Sequence, residues 1–239
     1  VYDFLAWSVL DHTDETMFSG VFQIRGGCCV KIKTDSDTRQ RLTENAGKRI
    51  DGIRRWYSLT GQHFSGNSDD AAESFKKLLE EAVNLRLRAD VPVGSCLSGG
   101  LDSSSIVCVA NRLLRQQASA GQQKTFSACA TVKRFDERSF IDEVVAQTGV
   151  DAYYTYPELE ELIPLLDDLT WHQDEPFGST SIYAQWAVFQ LAAKNGVKVM
   201  LDGQGADEQL AGYHSYFGPL LGFLFKTGRW LELLRECQA

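Results

Sequence analysis

Positive charge is scarce in this 239-residue chain: 24 Lys and Arg face 32 Asp and Glu, a formal charge of -8. An acidic chain is a poor general partner for nucleic acid or anionic lipid, so no nucleic-acid partner is expected. Long apolar runs are missing too. Leu220-Leu221-Gly222-Phe223-Leu224-Phe225 is apolar but far too short to span a bilayer, so no membrane role is expected. No secretory signal opens the sequence, and it begins at Val1 rather than Met, as expected of a piece cut from something longer. The six cysteines contain no C-x-x-C. Cys96, Cys108 and Cys129 sit in apolar patterns, and Cys28-Cys29 is vicinal but internal. Reduced, packed thiols and a cytoplasmic setting follow. The histidines His12, His63, His172 and His214 lack metal-ligand spacing, and structural hydrogen bonding is expected of them.

Hydrophobic residues make up 44% and charged residues 23%, the balance of a globular protein with a sizeable core. Val21-Phe22-Gln23-Ile24 and Val30-Lys31-Ile32-Lys33 alternate like strands. Gly61 to Asp70 is rich in Gly, Ser, Asn and Asp and reads as a linker. From Ala71 the pattern changes: Phe75, Leu78, Leu79, Ala82 and Val83 recur at helical spacing. A strand over 91–97 and a helix through Leu114 come next. Then follow a strand over 125–132, a helix over 137–148 closed by Gly149, and a strand over 152–156. A helix over 158–169 contains Pro164. A long helix over 181–194 is closed by Asn195-Gly196, with Trp186 and Phe189 expected against the sheet. A buried strand over 197–201 completes the series. Such alternation predicts an α/β fold: a parallel sheet with helices on both faces. Ligands of such sheets bind beyond the carboxyl ends of the strands.

The segment Ser98-Gly99-Gly100-Leu101-Asp102-Ser103-Ser104 occupies that position between a strand and a helix. The first turn of a helix offers unpaired N–H groups and partial positive charge, glycines allow close approach, and Ser98, Ser103 and Ser104 add hydroxyls. This suits phosphate. The common phosphate loop has Gly-Lys-Ser/Thr, and no Lys follows the glycines here. Asp102 instead faces the polyanion, which a divalent cation, most simply Mg2+, would reconcile. The competing interpretation is an ordinary Gly-Gly turn before a capped helix. A second acidic loop, Leu201-Asp202-Gly203-Gln204-Gly205-Ala206-Asp207-Glu208, leaves the last strand. Asp207 could join Asp102 as a metal ligand; alone, this loop would read as a solvated acidic turn.

The hexapeptide Ser98–Ser103 is the signature of PP-loop ATP pyrophosphatases, and the chain resembles them (an adenine nucleotide alpha hydrolase-like fold). With the second loop and His172-Gln173-Asp174-Glu175-Pro176-Phe177-Gly178, it resembles the asparagine synthetase family. The likeness runs from about Ala71 to Gly218 and includes the run from Arg86 to Gly94. Phe18-Ser19-Gly20-Val21 and Arg54-Arg55-Trp56-Tyr57 resemble, more weakly, the tail of that family's glutaminase domain.

The resemblance implies a mostly β glutaminase tail over 1–60, a linker over 61–70, and an ATP-binding domain over 71–239 that stops before a pyrophosphate-facing Lys. Leu97, Ser98, Gly99, Gly100, Leu101, Asp102, Ser103 and Ser104, with Val132, Asp202 and Gly203, would bind ATP. Asp102 and Asp207 would hold Mg2+. Asp174 and Glu175 would border the acceptor, and Asp102, Gln204, Asp207 and Glu208 would serve catalysis. Aspartate would be adenylated with release of pyrophosphate, and ammonia derived from glutamine would displace AMP to give asparagine. The implied partners are therefore small molecules, and a homodimer is compatible with them. Many members carry a carboxylate where this chain has Gln204, and Gln cannot act as a general base. Glu208 or substrate phosphate would then take the proton, or the chain closes a lactam or another amide by the same step. A tRNA-modifying PP-loop enzyme and a non-catalytic nucleotide-binding relative are the other classes considered.

Overall fold

The computed structural model describes residues 1–59, 61, 64–116 and 122–238; His63 lies outside them. The chain divides into two compact units. One comprises Val1–Ala71 with Asp167–Ser179, the other Ala72–Leu166 with Thr180–Ala239.

The first unit holds helices α1 (Tyr2–Trp7) and α2 (Ser36–Glu44), and strands β1 (Cys28–Cys29) and β2 (Arg54–Arg55). The Asp35 side chain caps α2 by accepting the Thr38 N–H at 2.8 Å. β1 and β2 pair antiparallel, Cys28 opposite Arg55. The expected β character of this segment is thus reduced to two residues per strand. Among the described residues, the alternating runs 21–24 and 30–33 find no partner strand, apart from a single bridge between Glu15 and Phe22. Alternation offers a half-buried face but does not supply the neighbour that a ladder requires.

The second unit is built on four parallel strands in the order β5-β4-β3-β6. These are β3 (Val93–Cys96), β4 (Lys124–Ala128), β5 (Asp151–Thr155) and β6 (Val199–Leu201). Its helices are α4 (Leu101–Gln116), α5 (Arg138–Thr148), α7 (Ser181–Lys194), α8 (Ala206–Leu210), α9 (Phe217–Lys226) and α10 (Trp230–Glu236), with α3 (Ser68–Arg86) starting in the first unit and continuing in this one from Ala72. α6 (Leu159–Gln173) begins in this unit and ends in the first. Gly149 ends α5 at φ 65, the left-handed conformation that glycine adopts without strain.

Both faces of the sheet are covered. Leu97, Val107, Ile141, Val144 and Val150 form one core cluster under α4 and α5. Val83, Ala110 and Leu201 join α3 to α4. A third cluster lies under α7, where Phe126, Val188, Ala192 and Val197 pack with Cys96, Tyr153 and Met200. Tyr183, Val188 and Ala192 are the buried residues of α7, while Trp186 is half-buried and Phe189 exposed. The small Ala192 and branched Val188 therefore make the close contact expected of the two aromatics. Gly94 has no room for a side chain. A Cβ there would lie 2.9 Å from Phe126 Cε2 and 3.0 Å from Val197 Cγ1.

β4 ends at Ala128, four residues before the expected end at Val132. Its partner β5 ends at Thr155, opposite Ala128, and the Cys129 N–H takes the Thr155 carbonyl at 2.8 Å. Among the described residues, nothing remains for residues 130–132 to pair with. The chain order places the reversal at β3: β4 lies on one side and β6 on the other. Crevices at such switch points, beyond the carboxyl ends of the strands, are the ligand sites of open α/β sheets.

Candidate functional site

The two loops singled out in the sequence leave β3 and β6, which are hydrogen-bonded neighbours with Ser95 opposite Leu201. α4 starts at Leu101, so Asp102 and Ser103 belong to its first turn. The loop before it is bound internally. Ser103 Oγ accepts the Ser98 N–H at 3.2 Å and lies 2.9 Å from Ser98 Oγ, and Ser98 Oγ accepts the Gly100 N–H at 3.3 Å. Ser127 on β4 donates to the Leu97 carbonyl at 2.6 Å, which fixes the loop's entry. Gly99 sits at φ 88, and a Cβ there would meet the Glu137 carbonyl oxygen at 3.1 Å. Conformation and crowding both call for glycine. Two serine hydroxyls and the opening turn of a sixteen-residue helix thus converge on one small loop.

The second loop touches the first. A Cβ on Gly203 would lie 2.9 Å from the Ser103 backbone nitrogen and 3.1 Å from Asp102 Cβ. Only a residue without a side chain lets the two loops meet this closely. Gly203→Ala is therefore expected to push the loops apart by a few tenths of an ångström or more. Titration calorimetry with Mg-ATP should show at least a tenfold loss of affinity, with only a small change in melting temperature. Unchanged affinity would mean that the contact is dispensable.

Beyond the strand ends lies a cavity of about 250 Å³, near the small end of ligand pockets. Leu97, Phe126, Ala128, Ala184 and Val188 give it apolar walls. Cys96, Ser98, Ser103, Ser127, Gln185, Asp202 and Gln204 supply its polar groups. Asp202 is well held. Its Oδ1 accepts the Gln204 N–H at 3.2 Å, and its Oδ2 lies 3.4 Å from the Gln185 amide nitrogen. Burial, and then the Asp202 charge, raise the Cys96 thiol well above its ordinary value. All six cysteines are free thiols.

The structure brings some of the expected residues to this cavity and not others. Leu97, Ser98, Ser103, Asp202 and Gln204 line it. Gly99, Gly100, Leu101, Asp102 and Ser104 form the loop and helix start beside it, and Gly203 lies against them. Asp207 and Glu208 stand in the first turn of α8, outside the lining. The Gly212 N–H is bound to the Asp207 carbonyl, and Tyr213 donates to Glu208 at 2.9 Å. That bond, ahead of desolvation, raises the Tyr213 hydroxyl above its usual range. Val132 is 57% exposed and precedes a 3-10 turn over Lys133–Phe135. Asp174 and Glu175 belong to the first unit. Asp174 follows α6 in a left-handed backbone at φ 60, and Glu175 lines a small cavity there with Asp3 and His12. The α7 wall of Ala184, Gln185 and Val188 was missed in the sequence. Its only signal was the Ala-to-Val spacing of four with an amide beside it.

Among the described residues, no three His, Cys, Asp or Glu side chains form a metal-holding group. Mg2+ does not need one, since it keeps several waters and is commonly held by one or two carboxylates with substrate phosphate oxygens. Asp102 and Asp207 are hard oxygen donors on neighbouring loops, so the donor set fits that mode.

The asparagine synthase family model matches residues 74–237. A Methanocaldococcus jannaschii protein named "Putative asparagine synthetase (glutamine-hydrolyzing) 2" is 34% identical over 201 residues, covering 83% of this chain and 38% of that protein. The amidase chyE of Penicillium rubens is 34% identical over 169 residues, covering 66% of this chain and 25% of its own length. A Bacillus subtilis glutamine-hydrolyzing asparagine synthetase is 35% identical over 152 residues, covering 64% and 23%. The chain thus spans well under half the length of these relatives. The match over both loops and the sheet between them shows that the chain belongs to the asparagine synthase family.

Proposed function

We propose that this chain carries the synthetase site of an ATP-dependent ligase that adenylates a carboxylate, releases pyrophosphate and forms an amide. The observation that carries the reading is the contact of Gly203 with the Asp102–Ser103 backbone. It joins a phosphate-suited loop to a second acidic loop at the sheet's switch point. Names of relatives as asparagine synthetases support aspartate as the acid and glutamine-derived ammonia as the amine. On this reading Ser98, Gly99, Gly100, Leu101, Ser103 and Ser104 hold the phosphates through hydroxyls and first-turn N–H groups. Leu97 and the apolar wall exclude water from the nucleoside, with Val132 as a further contact. Asp102 and Asp207 hold Mg2+, which when bound neutralises charge on the departing pyrophosphate. The acceptor roles of Asp174 and Glu175, a catalytic role for Glu208, and residues 1–60 as a glutaminase tail are proposed on resemblance. The unpaired cysteines agree with a cytoplasmic setting.

A second reading keeps the adenylation and changes the acid or the amine, as in lactam closure. Gln204 favours it, and so does the relationship to a protein named as an amidase. Nucleotide chromatography of the intact protein supplied with Mg-ATP, aspartate and ammonium tests the first reading. AMP and pyrophosphate should accumulate together and only with aspartate present. ADP and phosphate would refute both readings. Aspartate-independent turnover that other carboxylates stimulate would select the second.

A further inference from the structure

We propose that Asp202 is the proton acceptor for the attacking amine, in place of the carboxylate that Gln204 does not provide. The inference rests on the acyl-adenylate reading above and deepens it.

Among the described residues, Asp202 is the one carboxylate in the lining of the cavity that also contains the phosphate-loop hydroxyls of Ser98 and Ser103. It leaves the carboxyl end of β6, next to the strand that feeds that loop. Two donors orient it: the Gln204 N–H and the Gln185 amide. They do not saturate it. A carboxylate offers about four lone-pair sites, and the Gln185 contact at 3.4 Å is long for a hydrogen bond. Gln185 comes from α7, so the carboxylate is held from a helix across the sheet face as well as from its own loop. Gln204 lines the same cavity two residues later, where its amide can orient an amine but cannot take a proton.

The step balances. The amine nitrogen attacks the acyl carbon of the adenylate and becomes positively charged as the C–N bond forms. Asp202 accepts one N–H proton. The tetrahedral adduct then expels AMP, which leaves with the electron pair of the broken C–O bond. Asp202 returns its proton to solvent. Adenylation precedes this transfer and needs no base, because the attacking carboxylate is already ionised. The two half-reactions therefore separate what Asp202 does from what the phosphate loop does.

The test uses the intact protein with aspartate and ammonium as probes. Aspartate-dependent exchange of labelled pyrophosphate into ATP reports adenylation, and asparagine formation reports both steps. Asp202→Asn keeps an oxygen acceptor for the Gln204 N–H. It should retain exchange within about threefold and lose amide formation by about 10²-fold, the range of a lost general base. Gln204→Glu in the Asp202→Asn background should recover at least tenfold. If Asp202→Asn melts below the assay temperature, Asp202→Ser should give the same split. Equal loss of exchange and amide formation would make Asp202 a nucleotide-binding group and overturn the proposal. So would unchanged amide formation. A wild-type protein without exchange would fail the adenylation reading itself, before any variant is compared.

Discussion

Asp102→Asn should lower Mg-dependent ATP turnover by about 10²-fold or more, the scale of a lost transition-state charge contact, and leave the chain folded. Asp102 is the second residue of α4, half-exposed, and its side chain makes no hydrogen bond or ion pair among the described residues. A carboxylate in a helix's first turn contributes only about 0.3–1 kcal/mol through the helix dipole. Stability should therefore change little. The electrostatics alter when a triphosphate arrives at the same turn. A carboxylate facing phosphates is repulsive unless a cation lies between them. The amide has the same shape but cannot share a cation's charge. Comparing kcat at saturating Mg2+ with the urea midpoint separates the two roles. A large fall in stability with turnover intact would reduce Asp102 to a helix-terminal charge.

Phe126→Ala should be the most destabilising single truncation in the second unit, by about 3–5 kcal/mol. That is a large fraction of a typical stability of about 5–15 kcal/mol. Phe126 sits in the middle of β4 with no exposed surface, and stacks on Tyr153 at 5.2 Å between ring centroids. It covers Gly94 on β3 and belongs to the cluster under α7. Its removal leaves a gap that Gly94, having no side chain, cannot fill. The same ring lines the cavity, so nucleotide affinity should fall with stability. Urea denaturation of Phe126→Ala and Phe126→Leu would check the size of the effect. A loss below about 1 kcal/mol for the alanine variant would contradict the packing described.

Much of this was legible from residues alone, and the exceptions have physical causes. α7 was bounded correctly at Ser181 and Lys194 because an apolar periodic run ends at Asn195-Gly196. The phosphate loop was legible because a buried strand, two glycines and hydroxyls succeed one another without interruption. The end of β4 was not, because it is set by where β5 stops, a property of the partner strand. The runs 21–24 and 30–33 alternate as strands do, yet pairing fell to Cys28–Cys29 and Arg54–Arg55. The contact of Gly203 with Ser103 joins residues a hundred apart in the chain, and Gln185 reaches Asp202 from a different element, 17 residues away. A pattern within one element cannot report such a meeting. For the same reason the sequence assigned Asp202 to nucleotide binding with no sign of the donors that surround it.

The central claim is that a carboxylate oxygen attacks the α-phosphorus of ATP at these two loops. Aspartate labelled with oxygen-18 in its side-chain carboxylate tests it directly, with AMP analysed by mass spectrometry after turnover with ammonium by the intact protein. An acyl adenylate requires that one labelled oxygen leave with AMP at each turnover. Unlabelled AMP, or label confined to inorganic phosphate, would contradict the account.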